Sequence, residues 1–285
     1  MATKNLASSI AKKAVLAAAL EASTEKPGNV TPTKKFDDLS YNDFLEAAQS
    51  LEKHVKKAAR AGENVFSGEI AVGEAGIGKA IYDATQKGKN INFGIVLMFV
   101  PLATAAGYNG TCLRDDLRYF LRNMTYKDTI WIYKAMRAAR LGGMDTGVEK
   151  DLDVFSEDSF KKIEREKLSP VDVFKKVAQY DTLAKEWVTD YSLSFRYSEK
   201  IGPSFPSIKR TYLEILAEHP DTLIARKCGL ETAQEVSKRA KKVLEDYSKS
   251  RMEEFDSYLR KDKNRLNPGT TADLVATALF IKLLA

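Results

Sequence analysis

The sequence is short of the residues that most often carry enzymatic chemistry. Among 285 residues there are two histidines, His54 and His219, and two cysteines, Cys112 and Cys228. A histidine-rich metal centre is therefore excluded, and a Ser-His-Asp arrangement has little to work with. The cysteines form no C-x-x-C and have no adjoining histidine, so neither a zinc site nor a disulfide framework is indicated, and a reduced, cytoplasmic setting is expected. Glycine and proline are scarce as well: 16 and 8, about 8% of the chain against an average nearer 12%. That argues against a many-turned sandwich or barrel. Long apolar runs are also missing, since a bilayer span needs about 18 residues or more. The run from Phe93 to Ala106 is shorter and contains Pro101. It reads as a helix buried on all sides. Near the N-terminus, Lys12 and Lys13 precede a short apolar stretch, Ala14 to Leu20, that ends at Glu21; this reads as an alanine-rich helix rather than an export signal.

Charge narrows the partners. Lysine and arginine number 45 against 39 acidic residues, a net charge of +6. The two signs are interspersed even in the lysine-rich stretch from Arg226 to Arg265, so no segregated basic face marks a nucleic-acid binder. No nucleic acid and no membrane are expected as partners; a polyanionic small molecule suits the modest positive excess, and a homodimer is compatible with it.

What is present in quantity is helical punctuation. Thr125 and Asp128 form a T-x-x-D start before Ile130, Tyr133, Met136, Arg137 and Leu141, with Gly142-Gly143 as the stop. Ser169-Pro170 opens a helix whose face runs through Val173, Phe174, Val177, Tyr180 and Leu183 or Ala184. Similar patterns cover Ile208 to Glu218 and Leu230 to about Leu259. Asn267-Pro268-Gly269 reads as a turn, after which Thr270 and Asp273 make a second T-x-x-D start. No stretch alternates with period two between hairpin turns. The expected fold is all-α, a single multi-helix domain over residues 1–285 around a buried central helix from about Asn92 to Ala106. The polar region from Gly147 to Ser169 reads as a long, mobile excursion.

The stretch Gly73 to Ala80 matches GxxxxGK of a phosphate loop, yet Ala80 stands where a magnesium-binding hydroxyl belongs and no strand precedes it. It reads as a helix whose glycines admit a close neighbour. His54 lies among lysines and reads as solvated; His219, beside Pro220-Asp221, stands nearer the candidate chemistry. Acid and base work falls to carboxylates.

Three polar clusters border apolar helices. Glu25-Lys26-Pro27-Gly28-Asn29-Val30 is a rigid turn able to present Lys26, Asn29 and free amides to an anion, or an ordinary interhelical loop. Asn90-Ile91-Asn92-Phe93-Gly94 precedes the buried helix, where Asn92 also suits a cap. In the third, Pro220 to Gly229, Asp221 is a helix cap or a ligand. Thr222 and Arg226 share one face by their i, i+4 spacing, with Lys227 beside them. An acid, a hydroxyl and two cations there suit nucleotide phosphates and a metal.

In this order the clusters resemble the triphosphoribosyl-dephospho-CoA synthase family. The resemblance is carried by Lys26-Pro27-Gly28-Asn29-Val30, Asn92-Phe93-Gly94, Phe205-Pro206-Ser207, Pro220-Asp221-Thr222, and Asn267-Pro268-Gly269 with Ala272-Asp273-Leu274, from about residue 10 to 285. It implies an all-α pentosyltransferase that moves the 5-triphosphoribosyl group of ATP to the 2-hydroxyl of 3-dephospho-CoA and releases adenine. It also implies Mg2+ as a cofactor with ATP as substrate. Asp221 and Asp38 are the expected catalytic residues, and Asp221 and Asp273 the expected metal ligands, with Asp38 or Asp273 assisting at the sugar or acceptor hydroxyl. Lys26, Asn29, Asn92, Thr222, Arg226 and Lys227 are expected to bind nucleotide. Lys26, Asn29, Asn92, Asp221, Arg226, Lys227 and Asp273 should line one cavity. The family's histidine after the second motif is absent here, as is its His-x-Asp cluster, where Phe36-Asp37-Asp38 stands, and the Arg-Gly-Glu before Phe205-Pro206. The chain looks like the divergent branch common in archaea. Two alternatives stay open: ribosyl or phosphoribosyl transfer in another cofactor pathway, such as tetrahydromethanopterin biosynthesis, and a helical nucleotide-binding protein without turnover.

Overall fold

The computed structural model describes residues 3–86, 91–111, 114–139 and 152–285. Cys112, Asn90, Leu141, the Gly142-Gly143 stop and the start of the polar region at Gly147 lie outside them. Fifteen α-helices and no strand occur among the described residues, as the sparse breakers and 3.6-residue stripes predict.

The order begins with α1 (Thr3–Ser23), α2 (Tyr41–Phe66), α3 (Ile77–Thr85) and α4 (Phe93–Asn109). The alanine-rich stretch is α1, which buries Ala7, Ala11, Ala14, Ala17 and Ala18 against its neighbours. No single helix among the described residues is long and apolar enough to cross a membrane. In α4 the residues from Ile95 to Gly107 are all buried, the central helix expected from its unbroken apolarity. Its tightest neighbour is α2. A Cβ at Gly62 would lie 2.0 Å from the Thr104 carbonyl oxygen and one at Gly107 1.9 Å from that of Ala59, so the two backbones touch where each helix has a glycine. Pro101 removes one α4 amide, which leaves the Leu97 carbonyl without its usual donor. The buried Tyr191 hydroxyl reaches that carbonyl at 3.4 Å.

The chain continues through α5 (Arg114–Asn123), α6 (Tyr126–Ala139) and α7 (Glu157–Glu166). Asp128 does more than the sequence indicates. One oxygen accepts from the Thr125 amide at 3.0 Å and caps α6; the other accepts from the Gly78 amide at 3.0 Å and caps α3. A Cβ at Gly78 would lie 2.4 Å from the Asp128 carbonyl oxygen. The phosphate-loop lookalike is thus a helix start pressed onto another helix. The polar stretch expected to be an excursion contains α7 instead, started by Ser156 and anchored by buried Ser159 and Ile163.

Two expected single helices are each divided. The stripe from Pro170 becomes α8 (Pro170–Val177) and α9 (Thr182–Val188), because Asp181 accepts from the Ala184 amide at 2.9 Å and begins a new helix. After α10 (Ser192–Ser198), α11 (Phe205–Glu218) and α12 (Thr222–Cys228), the stripe from Leu230 becomes α13 (Leu230–Glu245) and α14 (Lys249–Leu259), with Ser248 as the second cap. The last helix, α15 (Gly269–Leu284), is buried continuously from Leu274 to Ile281 and lies beside α4, with the Phe99 and Phe280 rings 4.5 Å apart. The core therefore has two helices apolar all round, not one. Each large side chain they bury contributes ~1.5–3 kcal/mol.

Candidate active site

A cavity of about 460 Å³ opens where the end of α1, the loop after it and the starts of α4, α9, α12 and α15 meet. Its polar end is formed by Glu21, Asn29, Asp181, Arg226, Lys227 and Asp273; its apolar wall includes Phe36, Phe44, Ile95, Met136, Phe174 and Leu183. Tyr180, 60% exposed, stands at the rim. A mostly apolar lining with a few placed polar groups is that of a small-molecule site.

Four of the seven residues expected on one wall are there: Asn29, Arg226, Lys227 and Asp273. The other three serve the scaffold around it. Lys26 is wholly buried and pairs with the Glu21 carboxylate at 3.0 Å, donating also to the Thr24 carbonyl at 3.0 Å. It is thus engaged beneath the wall rather than presented to an anion. Asn92 donates to the Ala47 carbonyl at 3.3 Å and ties α4 to α2, while Ile91, Phe93 and Gly94 reach the cavity. Asp221 is buried under the floor. Asp38 is exposed and outside the wall, although Phe36 and Leu39 flank it on the lining. Thr222 bridges rather than binds: its hydroxyl accepts from the Thr182 amide and meets the Thr270 hydroxyl, both at 3.3 Å, joining the starts of α9, α12 and α15. His219 lies outside the wall beside Arg196, at 3.1 Å, where burial and that cation hold its imidazole below the ordinary range.

Asp221 corrects the expectation most sharply. One oxygen accepts from the Leu223 and Ile224 amides at 2.9 and 3.1 Å; the other accepts from the Thr271 amide at 2.7 Å and its hydroxyl at 2.8 Å. The carboxylate caps α12 and α15 together, and its four lone-pair directions are taken. It has none left for magnesium or a substrate proton. Because Asp221 caps α15, the T-x-x-D box of Thr270 and Asp273 does not form.

Asp273 is thereby released from capping. Its carboxylate makes no hydrogen bond or ion pair with any described residue and rests against Gly94, where a Cβ would lie 2.0 Å from Oδ2. Burial, reinforced by the Glu21 and Asp221 carboxylates, pushes its pKa well above the ordinary aspartate range; Arg226 opposes this. Such a group keeps its proton to higher pH than a solvated aspartate does. Glu21, by contrast, faces the ammonium of Lys26. The wall thus carries one carboxyl group paired with a cation and one without a hydrogen-bonding or ion-pair partner among the described residues.

Arg226 donates to Asp181, leaving its buried Nε without a partner, and Asn267 on the same wall has a buried Oδ1 equally unpartnered. Loss of surrounding water lowers the Lys227 ammonium from the usual lysine range, and Arg226 adds to this, although Asp221 opposes it. The donor set does not fit a protein-held metal ion. Asp221 is saturated, Asp273 favours its proton, Asp181 is paired, and no group of three or more His, Cys, Asp or Glu among the described residues is arranged to hold one.

The sequence reading missed Glu21 and Asp181. Glu21 continues the Ala14–Ala17–Ala18 stripe of α1, so a carboxylate on a buried face was the available signal. Asp181 interrupts an apolar stripe three residues before Ala184, the spacing of a cap.

No curated protein sequence matches the chain. Among solved structures, a protein from Archaeoglobus fulgidus that carries the provisional name triphosphoribosyl-dephospho-CoA synthase shares its fold. The TM-score is 0.64 and the sequence identity 23%, over 81% of this chain and 97% of that one. The family model for CitG, ATP:dephospho-CoA triphosphoribosyl transferase, matches residues 7–285. With that match over nearly its whole length and an all-helical fold, the chain belongs to the CitG family of triphosphoribosyl transferases.

Proposed function

We propose that Asp273 and Glu21 divide the acid and base work of triphosphoribosyl transfer from ATP to dephospho-CoA in this cavity, with Arg226 and Lys227 meeting the triphosphate. The observation that carries this reading is the unpartnered Asp273 carboxyl on the same wall as the ion-paired Glu21. As the bond between ribose C1′ and adenine N9 breaks, the sugar takes on oxocarbenium character, as in glycoside hydrolysis. Asp273 gives its proton to a ring nitrogen of the departing adenine, which leaves neutral. The 2-hydroxyl of dephospho-CoA bonds to C1′ and its proton passes to Glu21, which Lys26 orients. Arg226, with its unpartnered Nε, and Lys227 at the opening offset phosphate charge. Magnesium enters on the phosphates of ATP, as part of the substrate. A cavity of about 460 Å³ takes a base and sugar, so phosphates and the pantetheine arm extend past the rim at Tyr180 and Lys227. We place the reaction in the cytoplasm, where ATP is supplied.

Family membership does not favour a tetrahydromethanopterin-type acceptor or a nucleotide binder without turnover. The test is adenine release from ATP and magnesium with and without dephospho-CoA. Adenine is expected only with the acceptor, because a closed, water-poor site prevents wasteful hydrolysis. Release of ADP or pyrophosphate instead would discard ribosyl transfer.

A further inference from the structure

The turn from Lys26 to Val30 is held from two sides. Asp256 of α14 accepts from the Gly28 amide at 2.8 Å, and Arg260, just after α14, donates to the Asn29 carbonyl. From α11, the hydroxyl of fully buried Tyr212 lies 2.7 Å from the Pro27 carbonyl oxygen and 2.7 Å from the Asn29 side-chain amide. These two contacts have only one consistent assignment. A carbonyl can only accept, so the single phenolic proton goes to Pro27. The hydroxyl oxygen is then left to accept, and Asn29 must offer it Nδ2. Asn29 lines the cavity, and its Oδ1 accepts no hydrogen bond from any described residue.

We propose that Tyr212 is a positioning residue that locks the Asn29 amide with Nδ2 on the phenol, so that Oδ1 is the cavity's acceptor for a ribose hydroxyl of the bound nucleotide. The proposal rests on the reading of this cavity as the nucleotide site. An acceptor oxygen reads a donor, not a phosphate, which separates the task of Asn29 from that of Arg226 and Lys227. Without the phenol only the long 3.4 Å contact of Nδ2 with the Pro27 carbonyl holds the amide, which can then turn over and present an NH2 group to a hydroxyl that itself must donate. Burial, with the Asp221, Glu21 and Asp256 carboxylates nearby, raises the Tyr212 pKa well above the ordinary tyrosine value, so the phenol keeps the proton this assignment needs.

The test is a double-mutant cycle with Tyr212→Phe and Asn29→Ala, scored by kcat/KM for adenine release at a temperature where circular dichroism shows all four proteins folded. It is accompanied by side-chain amide exchange of the ligand-free proteins. Tyr212→Phe is expected to lower kcat/KM about 10-fold in the wild-type background and by less than about 2-fold in Asn29→Ala, since a residue that acts through Asn29 has nothing to position once it is gone. The Asn29 Nδ2 protons should be protected from exchange in the wild type and lose that protection in Tyr212→Phe. Equal losses in both backgrounds, no loss in either, or unchanged protection would overturn the role of Tyr212. Absence of adenine release in the wild type would overturn the cavity assignment and the substrate half of the proposal with it. The amide protection scores the Tyr212–Asn29 lock without activity, so the two failures are told apart.

Discussion

The starts of α12 and α15 lie beside one cavity and each carries an aspartate, Asp221 buried beneath the floor and Asp273 on the lining, yet the two do opposite things. Asp221 accepts four hydrogen bonds and fastens both helices. Asp273, one turn into α15, accepts none from any described residue. Burial raises the pKa of both. At Asp221 the Thr271 and Ile224 donors pull it back, whereas at Asp273 the neighbouring Glu21 and Asp221 carboxylates push it further. A buried carboxyl with every lone pair engaged belongs to the scaffold. One with none engaged, open to a cavity, is available for chemistry.

Three measurements sharpen or break that contrast. The largest effect is expected from Asp273→Asn, which keeps the shape and removes the transferable proton: adenine release should fall by about 100-fold or more with the melting temperature maintained. Turnover within a few-fold of wild type would return Asp273 to the scaffold. Next is Asp221→Ala, which strips caps from two helices and leaves buried amides bare. It should cost ~2–4 kcal/mol in denaturant unfolding while turnover per folded molecule falls by less than about 10-fold. A stable but inactive Asp221→Ala protein would reverse the two assignments.

The smallest effect is a slope with pH. An acid whose folded pKa is raised binds more protons folded than unfolded, so its contribution to stability is present below the unfolded value, near 3.9, and is lost as pH rises through the folded value. Asp273 is such a group. The stability of Asp273→Asn relative to wild type should therefore grow as pH rises above about 4. A difference that stays flat with pH in urea titrations would mean that Asp273 ionises normally.

Much of this is legible in the sequence, and the boundary has a physical reason. The all-helical class, the buried run at α4 and the capped start at Thr125 follow from local spacing, and local spacing decides helices. The motif order also brings the right regions together. What one dimension hides is which of several similar polar residues has its partners nearby. T-x-x-D predicts a cap equally well at Asp128 and Asp273; the first caps and the second does not, because Asp221, 50 positions from Thr271, supplies α15 with what its own box would have given. Lys26 looks like a phosphate ligand until Glu21 is seen beside it. The division of the Leu230 stripe was available from Ser248, but the apolar periodicity on both sides masks it.

The cavity draws Glu21 from the first helix and Asp273 from the last. During synthesis at about 5–20 residues per second, roughly ten to fifty seconds separate their emergence from the ribosome. A nascent chain that has folded its first helices still lacks Asp273, the Arg226 cation and the Asp221 carboxylate that fastens α12 to α15. On the proposed roles, the covalent order of the chain delivers the acid long after Glu21, so an unfinished copy has one side of the cavity and no group to protonate a departing base.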